Sequence, residues 1–241
     1  FPTRRSSDLE AYLRGTGRIR DVAPEPADVL IAAVAAAAAW RPEAAEPCMT
    51  LTVRSDIPMG RGMGSSAAAA AAVLLAVSED ADLQGSEDLY RMTLEVERVQ
   101  HGRPSGVDPY LAVHGGTIRF RAGGRERASS SLPFPLALAD TGAPVCTTGE
   151  CVEAVARYGG DKGLWRAFEE VTDRVETALQ AAGAEGAPPL IEPVREQHRL
   201  LCRIGVVPEA VQALIQAVEA AGGAAKVCGA GAVRGNAAGM V

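Results

Sequence analysis

The chain has 241 residues, 47% of them hydrophobic, enough to bury one large core or two modest ones. A formal net charge of −6 excludes the basic stripe of a nucleic-acid binder, and the longest apolar runs, Val29–Trp40 and Ala67–Val77, are too short to span a bilayer. Five cysteines without a CxxC pair and three scattered histidines support neither a disulfide framework nor a zinc site, so the expected setting is a reducing cytoplasm.

In chain order, Phe1–Leu9 reads as one translation of a sequencing-adapter string, so the biological sequence is expected to begin near Glu10. Pro26-Ala27-Asp28 opens an Ala-rich helix with Asp28 as N-cap, which runs to about Trp40 and is broken by Pro42–Pro47. Met49–Ser55 alternates and carries Thr and Val, predicting a strand. A Gly-rich turn over Pro58–Gly64 feeds a second Ala-rich helix from Ser65 to about Val77. Ser86-Glu87-Asp88 starts a third helix, its acidic first turn matched to the helix dipole, and Gly102 stops it after Gln100 or His101.

Gly115-Gly116 precedes a strand over Thr117–Arg121, and Arg119, Arg121, Arg125 and Arg127 alternate as the solvated face of a strand and hairpin. The low-complexity stretch Ala128–Ser131, followed by Pro133 and Pro135, sets a boundary between domains over residues 10–132 and 133–241. Beyond it come a strand at Leu136–Asp140, a turn at Thr141-Gly142, and helices near Glu150–Tyr158 and Leu164–Ala182. After a loop at Pro188-Pro189, helical segments run to Arg203 and over Pro208–Ala221, and a short strand from Lys226 ends in a Gly-rich turn at Gly231. Strands and helices mixed in two blocks define an α+β protein.

Three segments carry chemistry. In Pro58-Met59-Gly60-Arg61-Gly62-Met63-Gly64-Ser65-Ser66-Ala67-Ala68, alternate glycines allow positive φ and close backbone approach. The helix that follows aims free N–H groups and its positive dipole end at the loop, a trap for a di- or triphosphate. It is not a Walker A loop, because no Gly-Lys-Ser/Thr follows. The plainer reading, a Gly-rich turn capped by Ser65, does not account for the ordered combination of Pro, alternate Gly and Ser-Ser-Ala.

The second segment runs from Glu97 to Asp108. Phosphoryl transfer to an alcohol needs a metal on oxygen ligands and a group that orients or deprotonates the hydroxyl. Glu97 near a helix end and Asp108 after a Pro-Ser-Gly turn can supply them; each alone reads as an ordinary helix-surface or turn residue. The third, Lys226-Val227-Cys228-Gly229-Ala230-Gly231, brings backbone amides to a ligand; Lys226 is expected to start the strand and Cys228 to be a small buried apolar residue.

The first segment resembles the phosphate-binding motif of the GHMP kinases, and His101-Gly102-Arg103-Pro104-Ser105-Gly106-Val107-Asp108 resembles the mevalonate kinase branch of that family. The resemblance covers about Asp28 to Val241 and implies a two-domain fold: an N-terminal ribosomal-protein-S5-like α/β domain and a C-terminal ferredoxin-like α+β domain. It implies transfer of phosphate from ATP, with Mg²⁺, to a small-molecule hydroxyl, mevalonate favoured, in isoprenoid precursor synthesis. Pro58, Gly60, Gly62, Met63, Gly64, Ser65, Ser66, Ala67, Gly229, Ala230 and Gly231 would bind the nucleotide. Ser66 and Glu97 would hold the metal, Asp108 would be the catalytic base or hydroxyl orienter, and Ser105, Gly106 and Thr147 would meet the substrate, with His101 structural.

Ala139-Asp140-Thr141-Gly142 with Thr147-Thr148 resembles the opening of the family's second domain, and His198-Arg199-Leu200-Leu201 a helix facing the cleft. Ala232-Val233-Arg234 departs from the family by interrupting its usual glycine run, with Arg234 adding charge near the transferred phosphate. Glu10–Arg41 lacks the family's N-terminal lysine and histidine motif, and a further helix and strand are expected beyond Val241. The chain is therefore expected to lack both natural ends and to be poorly active alone. Competing readings are a sugar, homoserine or phosphomevalonate kinase, a diphosphomevalonate decarboxylase, or a non-catalytic relative that would have lost Asp108, Glu97 or Ser66. All three residues are present. A homodimer is a possible assembly, with no nucleic-acid or membrane partner expected.

Overall fold

A computed structural model describes residues 6–23, 28–42, 50–121, 124–129, 136–185 and 190–241. They form two units, Phe1–Ile57 with Gly64–Gly115 and Pro58–Met63 with Gly116–Val241. The boundary expected at residues 132 and 133 lies outside the described residues, and the contacts separate at Gly115 and at both ends of Pro58–Met63.

The first unit contains helices α1 (Ser6–Leu13), α2 (Ile19–Val22), α3 (Val29–Trp40), α4 (Ser65–Ser78), α5 (Glu87–His101) and α6 (Val107–His114). On α3, Ala32, Ala33, Ala36 and Ala37 recur at helical spacing and are buried against Ala70, Val73, Leu74 and Val77 of α4. Such small side chains let the helices pack closely, and Leu89, Val96 and Val99 of α5 complete this core. Asp28 occupies the N-cap position of α3 but its side chain makes no cap bond, and the expected opener Pro26-Ala27 lies outside the described residues.

Both ends of α5 are held by local chemistry. The Ser86 hydroxyl accepts the Leu89 N–H at 3.0 Å, and Gly102 closes the helix at φ +70°, its N–H bonded to the Arg98 carbonyl at 3.0 Å. Replacing Ser86 with Ala should lower stability by about 1 kcal/mol, read as an earlier urea midpoint. Between these ends Leu89, Thr93, Val96 and Glu97 share the buried face, which carries a carboxylate into the packed side of the helix.

The second unit contains strands β1 (Thr117–Arg121) and β2 (Gly124–Ser129), paired antiparallel with Ile118 opposite Arg127 and Phe120 opposite Arg125. Helices α7 (Thr148–Ala156), α8 (Lys162–Glu185), α9 (Ile191–Arg203) and α10 (Glu209–Ala220) follow. Leu164, Val171, Leu200, Ile204, Val206, Val211, Ile215 and Val227 form its core. The protein is α+β with helices predominating; among the described residues no helix is long and apolar enough to cross a membrane.

Three expected strands are not formed. Met49 lies outside the described residues, and 50–55 are exposed and join no ladder, for no described segment pairs with them. Leu136–Asp140 contributes one isolated bridge, Asp140 to Met240, beside which Ala139 and Val241 exchange N–H···O bonds of 2.9 and 3.0 Å. Lys226–Gly231 adds a single bond, from the Cys228 N–H to the Met240 carbonyl at 2.9 Å. The shared partner segment contains Gly239 at φ +80°, a conformation that interrupts a strand.

Arg121 and Arg125 are exposed, as a solvated face requires, but Arg119 is largely covered. Arg119 is paired with Asp173 and Glu176 of α8, and Arg121 lies 3.0 Å from Glu169 and 3.5 Å from Asp173. The alternation is real, but acidic residues on α8 meet it.

Candidate active site

Gly64 is the N-cap of α4 at φ +66°, and the first backbone bond of the helix joins the Ala68 N–H to the Gly64 carbonyl at 3.1 Å. The N–H groups of Ser65, Ser66 and Ala67 therefore precede the helical ladder, at the positive end of the dipole. Ala67 is fully buried behind them. A Cβ on Gly64 would lie 3.6 Å from the Asp108 side chain, so the loop and the carboxylate are in close contact. Asp108 is in the first turn of α6, reached through Ser105, whose hydroxyl accepts the Val107 N–H at 3.4 Å, and Gly106, the N-cap at φ +91°.

The Ser66 hydroxyl donates to Glu97 Oε1 and also stands 2.5 Å from Gln100 Oε1. The hydroxyl of Ser66, the carboxylate of Glu97 and the amide end of Gln100 thus converge on one point. Oxygen sets of this type suit Mg²⁺, which uses one or two carboxylates and completes its octahedron with phosphates and water. Among the described residues no group of three His, Cys, Asp or Glu side chains could hold a metal. The residues present fit the ion.

Glu97 is only 2% exposed, and its pKa is raised, chiefly by burial, with the Ser66 hydroxyl and His101 opposing and Asp108 adding to the rise. The Nε2 of His101 lies 3.4 Å from Glu97 Oε2. Water reaches Asp108, yet the protein packed around it raises its pKa too, opposed by His101. Because both acids titrate higher in the fold, the unfolded chain ionises first as pH rises. The contribution of these two acids to stability should be greatest below the ordinary carboxylate range, decline upward through their folded pKa values, and then level off. Urea midpoints measured from about pH 4 to pH 8 should show that decline, and Glu97→Gln should make it shallower.

The second unit holds the other predicted residues. A Cβ on Gly62 would lie 2.8 Å from Gly229 Cα, and one on Gly229 only 2.6 Å from Gly62 Cα, so the first and third glycine motifs touch backbone to backbone. Gly62 is at φ +75° and Gly60 at φ +67°, but nothing crowds Gly60. Beside Gly62, Arg61 Nε lies 2.9 Å from Asp140 Oδ1, and the Arg61 carbonyl accepts the Met240 N–H at 3.0 Å. Pro58 is exposed, Met63 is half-buried, and Ala230 packs against the second core. Gly231 is pressed onto the Val206 carbonyl.

Thr147 is the N-cap of α7, its hydroxyl accepting the Glu150 N–H at 3.2 Å while its own N–H reaches Glu150 Oε2 at 2.7 Å. That N–H, with the Arg234 guanidinium, holds the Glu150 carboxyl down at about 2. Arg234 is thus engaged by Glu150, at 2.5 Å, and by the Val145 carbonyl at 3.1 Å. Cys228 is exposed rather than buried, and Lys226 starts no strand: its ammonium donates to the Val227 carbonyl at 2.8 Å and burial lowers its pKa. His198 is buried on α9, where burial lowers its pKa.

The structure thus gathers Gly64, Ser66, Glu97 and Asp108 in one unit, and Gly62 with Gly229 in the other. His101 has a carboxylate partner rather than only the backbone contacts expected of it. Gln100 and Arg61 were not singled out; Gln100 stands three residues after Glu97, a spacing that places both on one helix face.

Residues 29–116 match the family described as GHMP kinases N terminal domain. Over that segment the chain is similar to the N-terminal domain of the GHMP kinases. It is 32% identical over 192 residues to the mevalonate kinase of Archaeoglobus fulgidus, covering 77% of this chain and 63% of the relative. It is also 32% identical over 192 residues to that of Aeropyrum pernix, covering 76% and 58% respectively. The solved Methanococcus jannaschii mevalonate kinase shares the fold, with a TM-score of 0.68 at 15% identity, over 92% of this chain and 71% of that one. The chain spans less than two thirds of the curated relatives it matches.

Proposed function

We propose that the protein carrying this chain transfers the γ-phosphoryl group of ATP to the hydroxyl of a small molecule, mevalonate being the favoured acceptor. The observation that carries this reading is the convergence of Ser66, Glu97 and Asp108 beside Gly64 at the N-terminus of α4. The names of the relatives support the acceptor.

The N–H groups of Ser65, Ser66 and Ala67 would receive phosphate oxygens, and the glycine backbone at Pro58–Gly64 and Gly229–Gly231 would let the nucleotide approach. Ser66 and Glu97 would hold Mg²⁺, which when bound neutralises charge on the phosphates. Asp108 takes, or hydrogen-bonds, the acceptor's hydroxyl proton at its carboxylate, orienting the oxygen for attack. Ser105 and Gly106 at the start of α6 and Thr147 at the start of α7 are the proposed acceptor contacts. The proposed domains run over residues 10–132 and 133–241. The thiols of Cys146, Cys151, Cys202 and Cys228 are free, which suits a reducing cytoplasm.

ADP release by the intact protein should be measured with ATP, Mg²⁺ and each of mevalonate, phosphomevalonate, homoserine and galactose. Turnover with mevalonate should exceed the others by about 100-fold or more. Preference for another acceptor would reassign the substrate, and no turnover with any would remove the enzyme reading.

A further inference from the structure

The last turn of α5 carries Gln100 and His101, and Glu97 stands one residue before it, so the oxygen cluster borders a helix end, the part of a helix most prone to fray. The final carbonyls of a helix have no partner within it. Here the Arg98 carbonyl, which also accepts the Gly102 N–H, and the Val99 carbonyl share a partner far away in sequence. Arg20 Nε donates to the Arg98 carbonyl at 3.0 Å, and its Nη2 reaches both that oxygen and the Val99 carbonyl, the latter at 3.4 Å. The same Nη2 would stand 3.6 Å from a Cβ on Gly102, so the guanidinium lies over the point where α5 ends.

The short helix that carries the exposed Arg20 is anchored. The neighbouring Ile19 is 5% exposed and belongs to the core that includes Leu89, Val96 and Val99 of α5, and the Asp21 carboxylate accepts the Arg18 N–H at 3.0 Å at the start of α2. A permanently charged planar fork at a helix C-terminus matches both the carbonyl geometry and the negative end of the dipole. Arg20 also lies outside residues 29–116, the segment that matches the family.

We propose that Arg20 is a positioning residue, clamping the last turn of α5 so that Glu97 and Gln100 stay in register with Ser66. The inference rests on the reading of that cluster as a divalent-metal site. It concerns the orientation of the ligands and not contact with the ion.

The test compares Arg20→Ala and Arg20→Lys with Ser86→Ala, which removes the cap at the opposite end of α5. Mn²⁺ affinity is read by electron paramagnetic resonance with ADP present, and stability by urea unfolding. Loss of a direct outer partner of a metal ligand weakens affinity by about 10-fold or more. Arg20 acts one step further out, through backbone, so Arg20→Ala should raise the Mn²⁺ Kd by about threefold to tenfold. Ser86→Ala should leave the Kd within about twofold, since the cap it removes lies at the other end of the helix. Arg20→Lys keeps the charge without the fork and should lie between. It also serves as the test if Arg20→Ala does not fold.

Equal Kd values for wild type and both Arg20 variants would overturn the inference alone, as would equal weakening by Arg20→Ala and Ser86→Ala. No Mn²⁺ binding by the wild type would overturn the metal-site reading, and the inference with it.

Discussion

Asp108→Asn should reduce kcat by about a thousandfold while changing nucleotide affinity by less than about threefold, because a positioned base contributes two to four orders of magnitude to the chemical step alone. The carboxamide has nearly the same shape, so the contact with Gly64 and the start of α6 are kept; what is lost is an acceptor for the hydroxyl proton. The wild-type enzyme should also carry a signature of the raised acid. With Asp108 above its ordinary range, its ionised form accumulates only as pH rises, so kcat/KM should climb along an acidic limb displaced upward from a free carboxylate. That limb should vanish in the residual activity of Asp108→Asn. Steady-state rates across pH, with nucleotide binding followed by fluorescence titration, check both parts. A loss smaller than about tenfold, with the limb intact, would assign the proton transfer to another group.

The parts of the fold that were legible in the sequence are those whose chemistry is local. Ser86 and Gly102 bound α5 because a hydroxyl cap and a left-handed glycine act within one turn of the helix they limit. Gly64 opens α4 for the same reason. Strands were read less well, since alternation in 50–55 or 226–231 marks a segment able to pair, while the ladder depends on a partner elsewhere and on glycines such as Gly239 that interrupt it. The arginines of β1 looked solvated because Asp173 and Glu176, which engage Arg119, lie 54 and 57 residues further on.

The candidate site divides along the same line. Ser66, Glu97 and Asp108 were singled out through the resemblance of their segments to the GHMP kinases, since Glu97 and Asp108 alone read as ordinary helix-surface and turn residues, and Gln100 could have been found from its helical offset to Glu97. Arg20 could not. It binds backbone carbonyls 78 and 79 residues away, and a carbonyl has no residue type to reveal it. The contact of Gly62 with Gly229 was legible only as two glycine motifs, and the structure supplies the reason both must lack a side chain.

Gly231→Ala should be far more damaging than Gly60→Ala. Both positions have positive φ, +68° and +67°, so each pays the same left-handed penalty of about 1 to 2 kcal/mol. Their surroundings differ. At Gly60 a Cβ meets nothing within 4 Å, whereas at Gly231 it would lie 2.1 Å from the Val206 carbonyl oxygen. That oxygen accepts the Ala232 N–H at 2.8 Å, and Ala232 is 1% exposed, so the clash is relieved only by breaking a buried hydrogen bond. An orphaned buried pair costs a further 1 to 3 kcal/mol or so, which makes the total about 2 to 5 kcal/mol against a usual domain stability of about 5 to 15 kcal/mol. Urea unfolding of the two variants measures the difference directly. If Gly231→Ala is no less stable than Gly60→Ala, the loop does not rest on Val206, and the third glycine motif loses the support that holds Gly229 against Gly62.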